Sequence, residues 1–145
     1  MRSVNLTFTA VLILVLLTPV AAQQAQQFGK YEVHYSTLNT RMLQPEIATA
    51  YGIQRSGTQA ILNITVLDSE SGNPVRASVE VEAANLTGQR RDIELREIRD
   101  QGAIYYIGQF RIHNEESLNF NVSIRPAGRE GNPFSLNFRQ KFYTG

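Results

Sequence analysis

Apolar and polar residues alternate one by one through much of the chain, and this period of two constrains the fold more than any other feature. In the clearest run, Val75, Ala77, Val79 and Val81 are separated by polar side chains. Successive side chains of a β-strand point to opposite faces, so such a run predicts a strand with one buried face. The same pattern recurs near residues 31–36, 62–66, 93–95, 104–112, 118–124 and 134–142.

Seven predicted strands, without a long helical pattern among them, are typical of two antiparallel sheets packed face to face. We therefore predict an all-β fold, an immunoglobulin-like antiparallel β-sandwich of about seven strands; a closed barrel is the alternative. The chain has no cysteine and no tryptophan, so it lacks the disulfide and the core tryptophan of antibody domains. Turn-forming residues at 70–74 predict a hairpin between the second and third strands.

One segment breaks the strand pattern. Ile47, Ala50 and Tyr51 recur at helical spacing, Pro45 suits the first position of a helix, and Gly52 suits the position after its end. We expect one short helical insert between the first and second predicted strands. Its simplest role is to close one end of the sandwich with Ile47 and Tyr51.

The N-terminus has the features of a cleavable secretory signal peptide. Arg2 precedes an uncharged apolar stretch, Ala10–Leu17, which Pro19 ends. Small residues then favour cleavage after Ala22, so the signal peptide spans residues 1–22; cleavage after Ala25 is the second choice. A membrane anchor is the competing interpretation, but a spanning helix needs about 20 apolar residues and this stretch is shorter.

Residues 23–29 are rich in glutamine and predict a flexible leader, with the sandwich domain over residues 30–145. The signal peptide predicts export, and the periplasm of a Gram-negative bacterium is the expected compartment; eukaryotic secretion is the alternative. Without a cysteine, the chain cannot be a lipid-anchored bacterial lipoprotein. We expect no membrane span once the signal peptide has been removed.

The charge distribution gives no sign of a nucleic-acid partner. Fourteen basic and thirteen acidic residues become thirteen of each when Arg2 is removed with the signal peptide. The two signs are interspersed, whereas a nucleic-acid or membrane surface requires a concentrated basic patch.

Catalytic chemistry has little support in the sequence. The only candidate bases are His34 and His113, and the strand pattern points both toward solvent. No Gly-x-Ser-x-Gly elbow presents a nucleophile. We therefore predict no enzymatic activity and no cofactor, with a hydrolase as the weakest alternative.

A periplasmic metal carrier is the stronger alternative, because imidazole and thioether ligands select copper. After cleavage, the chain retains His34, His113 and a single methionine, Met42. These three residues are the candidate copper ligands, although no two of them are closely spaced in the sequence.

Two sequence runs carry a family resemblance: Tyr-Glu-Val-His-Tyr at residues 31–35, and Pro-Glu-Ile-Ala-Thr-Ala-Tyr-Gly-Ile-Gln-Arg at residues 45–55. With these runs, the chain after the signal peptide resembles short exported proteobacterial proteins catalogued as a domain of unknown function, of the DUF4426 kind. The Ala-Tyr-Gly-Ile-x-Arg part is the most specific. The resemblance implies a periplasmic setting and a sandwich fold, and it implies no activity.

If the resemblance marks a working surface, the polar residues nearest the helical insert are its candidates: His34, Arg41, Tyr51 and Arg55. The structural alternative is that Tyr51 and Arg55 fix the insert against the sheet. The predicted function is a non-enzymatic interaction or accessory module whose partner is another periplasmic or envelope protein. The sequence leaves the oligomeric state open.

Overall fold

A computed structural model describes residues 23–145, so the predicted signal peptide at residues 1–22 lies outside the described residues. The helical elements are a 3₁₀ turn at Thr40–Met42 and one α-helix, α1, at Pro45–Tyr51. The strands are β1 Gln24–Phe28, β2 Tyr31–Asn39, β3 Gln59–Asp68, β4 Ala77–Asn85, β5 Arg90–Arg91, β6 Arg96–Asp100, β7 Ala103–Arg111, β8 Glu116–Pro126 and β9 Phe134–Phe142.

The strands form two antiparallel sheets, one with the order β1-β2-β3-β7-β6 and the other with the order β5-β4-β8-β9. Inward-facing side chains of both sheets form the main core, which contains a cluster of phenylalanine rings. Phe120 lies at the centre of this cluster: its ring stacks on Phe138 at 4.7 Å between centroids and meets Phe110 edge to face at 5.7 Å. The predicted immunoglobulin-like sandwich is therefore confirmed, with nine strands among residues 23–145 in place of about seven.

One additional strand corrects the prediction of a flexible leader at residues 23–29. Gln24–Phe28 pairs with β2 through the whole length of β1. The Phe28 ring also stacks on Phe134 of the opposite sheet, at 4.9 Å between ring centroids. The glutamine side chains face solvent, so the strand lacks the apolar alternation that would have revealed it.

The second correction concerns residues 93–95. Ile93 and Leu95 were predicted to mark the fourth strand, but they lie between β5 and β6, where the chain crosses from one sheet to the other. Both side chains pack against the main core, which explains their alternation. The strand itself follows, at Arg96–Asp100.

The turn predicted near residues 70–74 closes a short hairpin, in which Leu67 pairs with Pro74 and the Val75 amide donates a 2.8 Å hydrogen bond to the Val66 carbonyl. Asp68 accepts hydrogen bonds from the backbone amides of Glu70 and Ser71, and Gly72 adopts a φ of 75°. The strands on either side, β3 and β4, belong to different sheets. This turn therefore carries the chain across the sandwich.

The predicted helix is confirmed at Pro45–Tyr51, with Pro45 in its first turn and Gly52 as a left-handed cap at a φ of 68°. Its predicted position is wrong. The helix lies on the outer face of the five-stranded sheet, where Ala48 is buried against Ile61 and Ile107. Ile47 is 41% exposed and does not close the end of the sandwich.

Across residues 23–145, the structure contains no helix with the length and hydrophobicity needed to cross a membrane.

Candidate interaction surface

The outer face of the five-stranded sheet carries two of the four predicted surface residues, His34 and Tyr51. His34 follows the buried Val33 on β2, so strand alternation turns its side chain to the outer face. Its Nε2 atom lies 2.8 Å from the Glu32 carboxylate. His34 is half-buried on this outer face, with β1 and β3 on either side of it.

Tyr51 fastens α1 to the edge strand β6. Its hydroxyl donates a 2.9 Å hydrogen bond to the Asp100 carboxylate, and its backbone carbonyl accepts one of 2.6 Å from Arg96. Burial, followed by the Asp100 hydrogen bond, raises the pKa of Tyr51. These contacts hold α1 against the sheet, as expected if Tyr51 fixes the helical insert in place.

Arg41 and Arg55 lie together beyond the end of the same sheet. The Arg55 guanidinium donates a 3.0 Å hydrogen bond to the backbone carbonyl of Arg41. The Arg41 guanidinium lies against Gly57, so close that a Cβ atom there would be 3.1 Å from an Arg41 nitrogen. Both arginines are exposed, and within residues 23–145 neither forms an ion pair.

The chain around the two arginines is held by polar contacts. The Thr40 hydroxyl, fully buried, accepts a hydrogen bond from the Ser56 amide at 2.8 Å and donates one to the Ser56 carbonyl at 3.0 Å. Asn39 adds a bond of 3.1 Å to the carbonyl of Gly57. These bonds join the 3₁₀ turn to the segment before β3, so both guanidinium groups project from a fixed backbone.

His34 lies apart from the arginine pair. It is five residues from Asn39, where β2 ends, and this corresponds to about 17 Å at 3.3 Å per strand residue. The structure thus brings Arg41 and Arg55 together, places Tyr51 on the adjoining helix, and leaves His34 further along the face.

The three candidate copper ligands are not brought together. His34 of β2 lies opposite Thr65 of β3. The preceding residue of β3, Ile64, lies opposite Tyr106 of β7, so His34 and Tyr106 are nearly level in the sheet. Strand β7 runs from Tyr106 to Arg111 over about 17 Å of the sheet, and His113 follows beyond the end of that strand. Met42 is exposed on the 3₁₀ turn. In the part of the chain that the structure describes, no group of three or more histidine, aspartate or glutamate side chains could hold a metal ion.

Sequence reasoning missed a half-buried ion pair at the end of the sandwich near His113. Arg91 bonds to the Glu116 carboxylate and also donates to the backbone carbonyl of Arg111 at 3.2 Å. Burial opposes ionisation of Glu116, but hydrogen bonds from Asn85 and Arg91 outweigh it and lower the pKa of this carboxyl. The two charges are far apart in sequence, so only the fold could reveal the pair.

A cleft of about 430 Å³ opens between the end of α1 and the segment that links β5 to β6. Charged residues of both signs, Asp92, Glu94 and Arg96, line it together with Gln109. It contains no serine, threonine or histidine, so the described residues offer no nucleophile with a neighbouring base there.

The family model for "Domain of unknown function (DUF4426)" matches residues 25–145, from the first strand to the end of the chain. The chain belongs to the DUF4426 family. A crystal structure of a DUF4426 family protein from Pseudomonas aeruginosa is 33% identical to this chain, with a TM-score of 0.75. The match covers 85% of this chain and 96% of that one, so the family resemblance in the two sequence runs is confirmed.

The DUF4426 domain also shares its fold with two more distant proteins. FetP of uropathogenic Escherichia coli strain F11 is 13% identical, with a TM-score of 0.63 over 86% of this chain and 95% of FetP. Copper-reconstituted P19 from Campylobacter jejuni is 13% identical, with a TM-score of 0.53 over 85% of this chain and 95% of P19. A comparison with curated proteins found no match.

Proposed function

We propose that this DUF4426 protein is a non-enzymatic interaction or accessory module of the bacterial periplasm, and that Arg41 and Arg55 are central to its contact surface. The observation that carries the proposal is that two exposed arginines, joined by the hydrogen bond from Arg55 to the Arg41 carbonyl, have no ionic partner in the described chain. A guanidinium binds a carboxylate through two parallel hydrogen bonds. The partner is another periplasmic or envelope protein that presents acidic side chains.

Export to the periplasm rests on the predicted signal peptide, which the structure does not describe. The position of β1 favours one of the two cleavage sites. Cleavage after Ala22 leaves Gln24–Phe28 complete, whereas cleavage after Ala25 would remove two of the five residues of β1. FetP, which shares the fold at 13% identity, was recombinantly expressed in the periplasm of E. coli, and this agrees with the proposed compartment.

The proposal is tested by affinity capture from periplasmic extract, with the exported protein as bait. The Arg41→Ala/Arg55→Ala variant should lose a protein that the unmodified bait retains. The Arg125→Ala/Arg139→Ala variant removes the same charge from the outer face of the four-stranded sheet, and it should retain that protein. Equal retention by all three baits, or equal loss from both variants, would refute the assignment of the surface.

Copper transport by His34, Met42 and His113 is the second candidate. In its favour is the fold shared with copper-reconstituted P19, a likeness that at 13% identity is evidence of the fold alone. The two histidines are separated by the length of β7 from Tyr106 to Arg111, about 17 Å, and this argues against a shared ion because copper ligands lie near 2 Å from the metal. Isothermal titration with Cu²⁺ distinguishes the candidates: tight stoichiometric binding that His34→Ala and His113→Ala each abolish would favour the carrier.

A further inference from the structure

Within the described residues 23–145, the two sheets end in four edge strands, and β1 differs from the other three. A free edge exposes unpaired backbone groups, and proteins commonly guard such edges with charged side chains or by keeping the strand short. Strand β5 has two residues, both arginine, and β9 carries Arg139 and Lys141. In β6, four of the five residues are charged. Strand β1, with the sequence Gln-Ala-Gln-Gln-Phe, carries no charge and no proline.

The hairpin between β1 and β2 determines which backbone groups of β1 are free. Its loop has two residues, Gly29 and Lys30, with a φ of 58° at Gly29, as in a type II′ turn. Such a loop makes Phe28 and Tyr31 a hydrogen-bonded pair, and bonded and unbonded pairs then alternate along the strands. Gln26 and Gln24 therefore bond to β2, while the backbone groups of Ala25 and Gln27 point to the free edge.

This arrangement is self-complementary. If a second copy approaches antiparallel with a two-fold axis at Gln26, Ala25 of each copy lies opposite Gln27 of the other. All the free donors and acceptors of both residues are then paired, in four backbone hydrogen bonds. No charged side chains oppose one another, and the two Gln26 side chains meet at the axis.

We infer that β1 is the interface through which two copies of this protein associate, joining their five-stranded sheets edge to edge. An isologous contact of this kind is the commonest form of self-association. A five-residue edge is small beside the roughly 800 Å² per partner of a standard stable interface. The dimer is therefore reversible and depends on protein concentration. This interface is separate from the Arg41 and Arg55 surface, so each proposal can fail without the other.

The first test uses proline at a position where only the dimer needs the amide. Ala25→Pro removes an N–H group that has no partner among the residues described for one copy, and with it two of the four bonds between copies. Sedimentation velocity of the exported protein up to about 1 mM should show a concentration-dependent dimer, weakened at least tenfold in the variant. A monomeric unmodified protein, or an equally dimeric Ala25→Pro variant that keeps a native circular dichroism spectrum, would overturn the inference.

The second test locates the axis with charges at Gln26. Gln26→Lys and Gln26→Glu each place like charges opposite one another, so each variant alone should dimerise more weakly. An equal mixture of the two should associate more tightly than either variant alone. Gln140→Lys on β9 is the matched control and should dimerise like the unmodified protein. Equal association of the mixture and of the separate variants would place the contact elsewhere.

Discussion

Gly108 shows at the scale of a single residue why the crossing between the sheets is possible. It lies on β7 beneath the segment that links β5 to β6. A Cβ atom at this position would lie 2.7 Å from Ile93 Cγ2 and 2.8 Å from the backbone oxygen of Glu94. We predict that Gly108→Ala lowers the free energy of unfolding by about 1–3 kcal/mol, the usual cost of overpacking a core. Urea denaturation measures this change, and an unaltered midpoint would contradict the packing described.

A second residue-scale prediction concerns pH and the Tyr106 hydroxyl. This group donates a 3.0 Å hydrogen bond to Glu97 and accepts one of 2.8 Å from the Ala77 amide, so it joins both sheets. The hydrogen bond from Tyr106 lowers the pKa of Glu97. Burial opposes this shift, and a hydrogen bond from Arg99 adds to it. Because the pKa is lower in the folded state, Glu97 stabilises the fold above its ordinary pKa. That contribution is lost as the pH falls through the folded value.

Tyr106→Phe should therefore raise the pKa of Glu97 toward its ordinary value and flatten the loss of stability in acid. Carbon-detected NMR titration of the Glu97 carboxyl measures the first effect, and urea denaturation at pH 7 and at about pH 3 measures the second. At neutral pH the variant should also be less stable by about 1 kcal/mol, because the half-buried Ala77 amide loses its partner. An unchanged Glu97 pKa would show that Tyr106 does not control this carboxyl.

At the scale of elements, β1 depends on its contact with the opposite sheet. The Phe28 ring is the apolar link between this polar strand and Phe134. We predict that Phe28→Ala increases amide hydrogen exchange in Gln24–Phe28 while the central strand β3 stays protected. Gln24→Ala is the control, since the Gln24 side chain is exposed and its removal should leave exchange unchanged. Equal exchange in both variants would contradict the proposed anchoring role of Phe28.

The elements also show how far sequence reasoning reaches. Local signals sufficed where they were complete: Pro45 and Gly52 delimit α1 because each suits one helix end. They failed where burial and secondary structure diverge. Ile93 and Leu95 are partly buried without forming a strand, and β1 is a strand without an apolar face. The surface that α1 covers could not be predicted, because it depends on which strands become neighbours.

At the scale of the whole molecule, alternation predicted two packed sheets, but strand order arises from contacts between distant residues. For this reason the sequence could propose His34, Met42 and His113 as one ligand set, while the register places the histidines far apart. The same long-range order brings Arg41 and Arg55 into contact across the helical insert. The sequence suggested these two arginines because they lie near the helical insert along the chain. Only the fold shows that Arg55 donates a hydrogen bond to the Arg41 carbonyl.

The most direct test of the proposed function is photo-crosslinking in living cells. A photoreactive amino acid at Met42, exposed beside Arg41, should trap a single partner protein in the periplasm. The same group at Ser123, on the outer face of the four-stranded sheet, should not trap it. Introducing Arg41→Ala/Arg55→Ala should abolish the product at Met42. No product at Met42, or one that survives the loss of both arginines, would contradict the assignment of this surface.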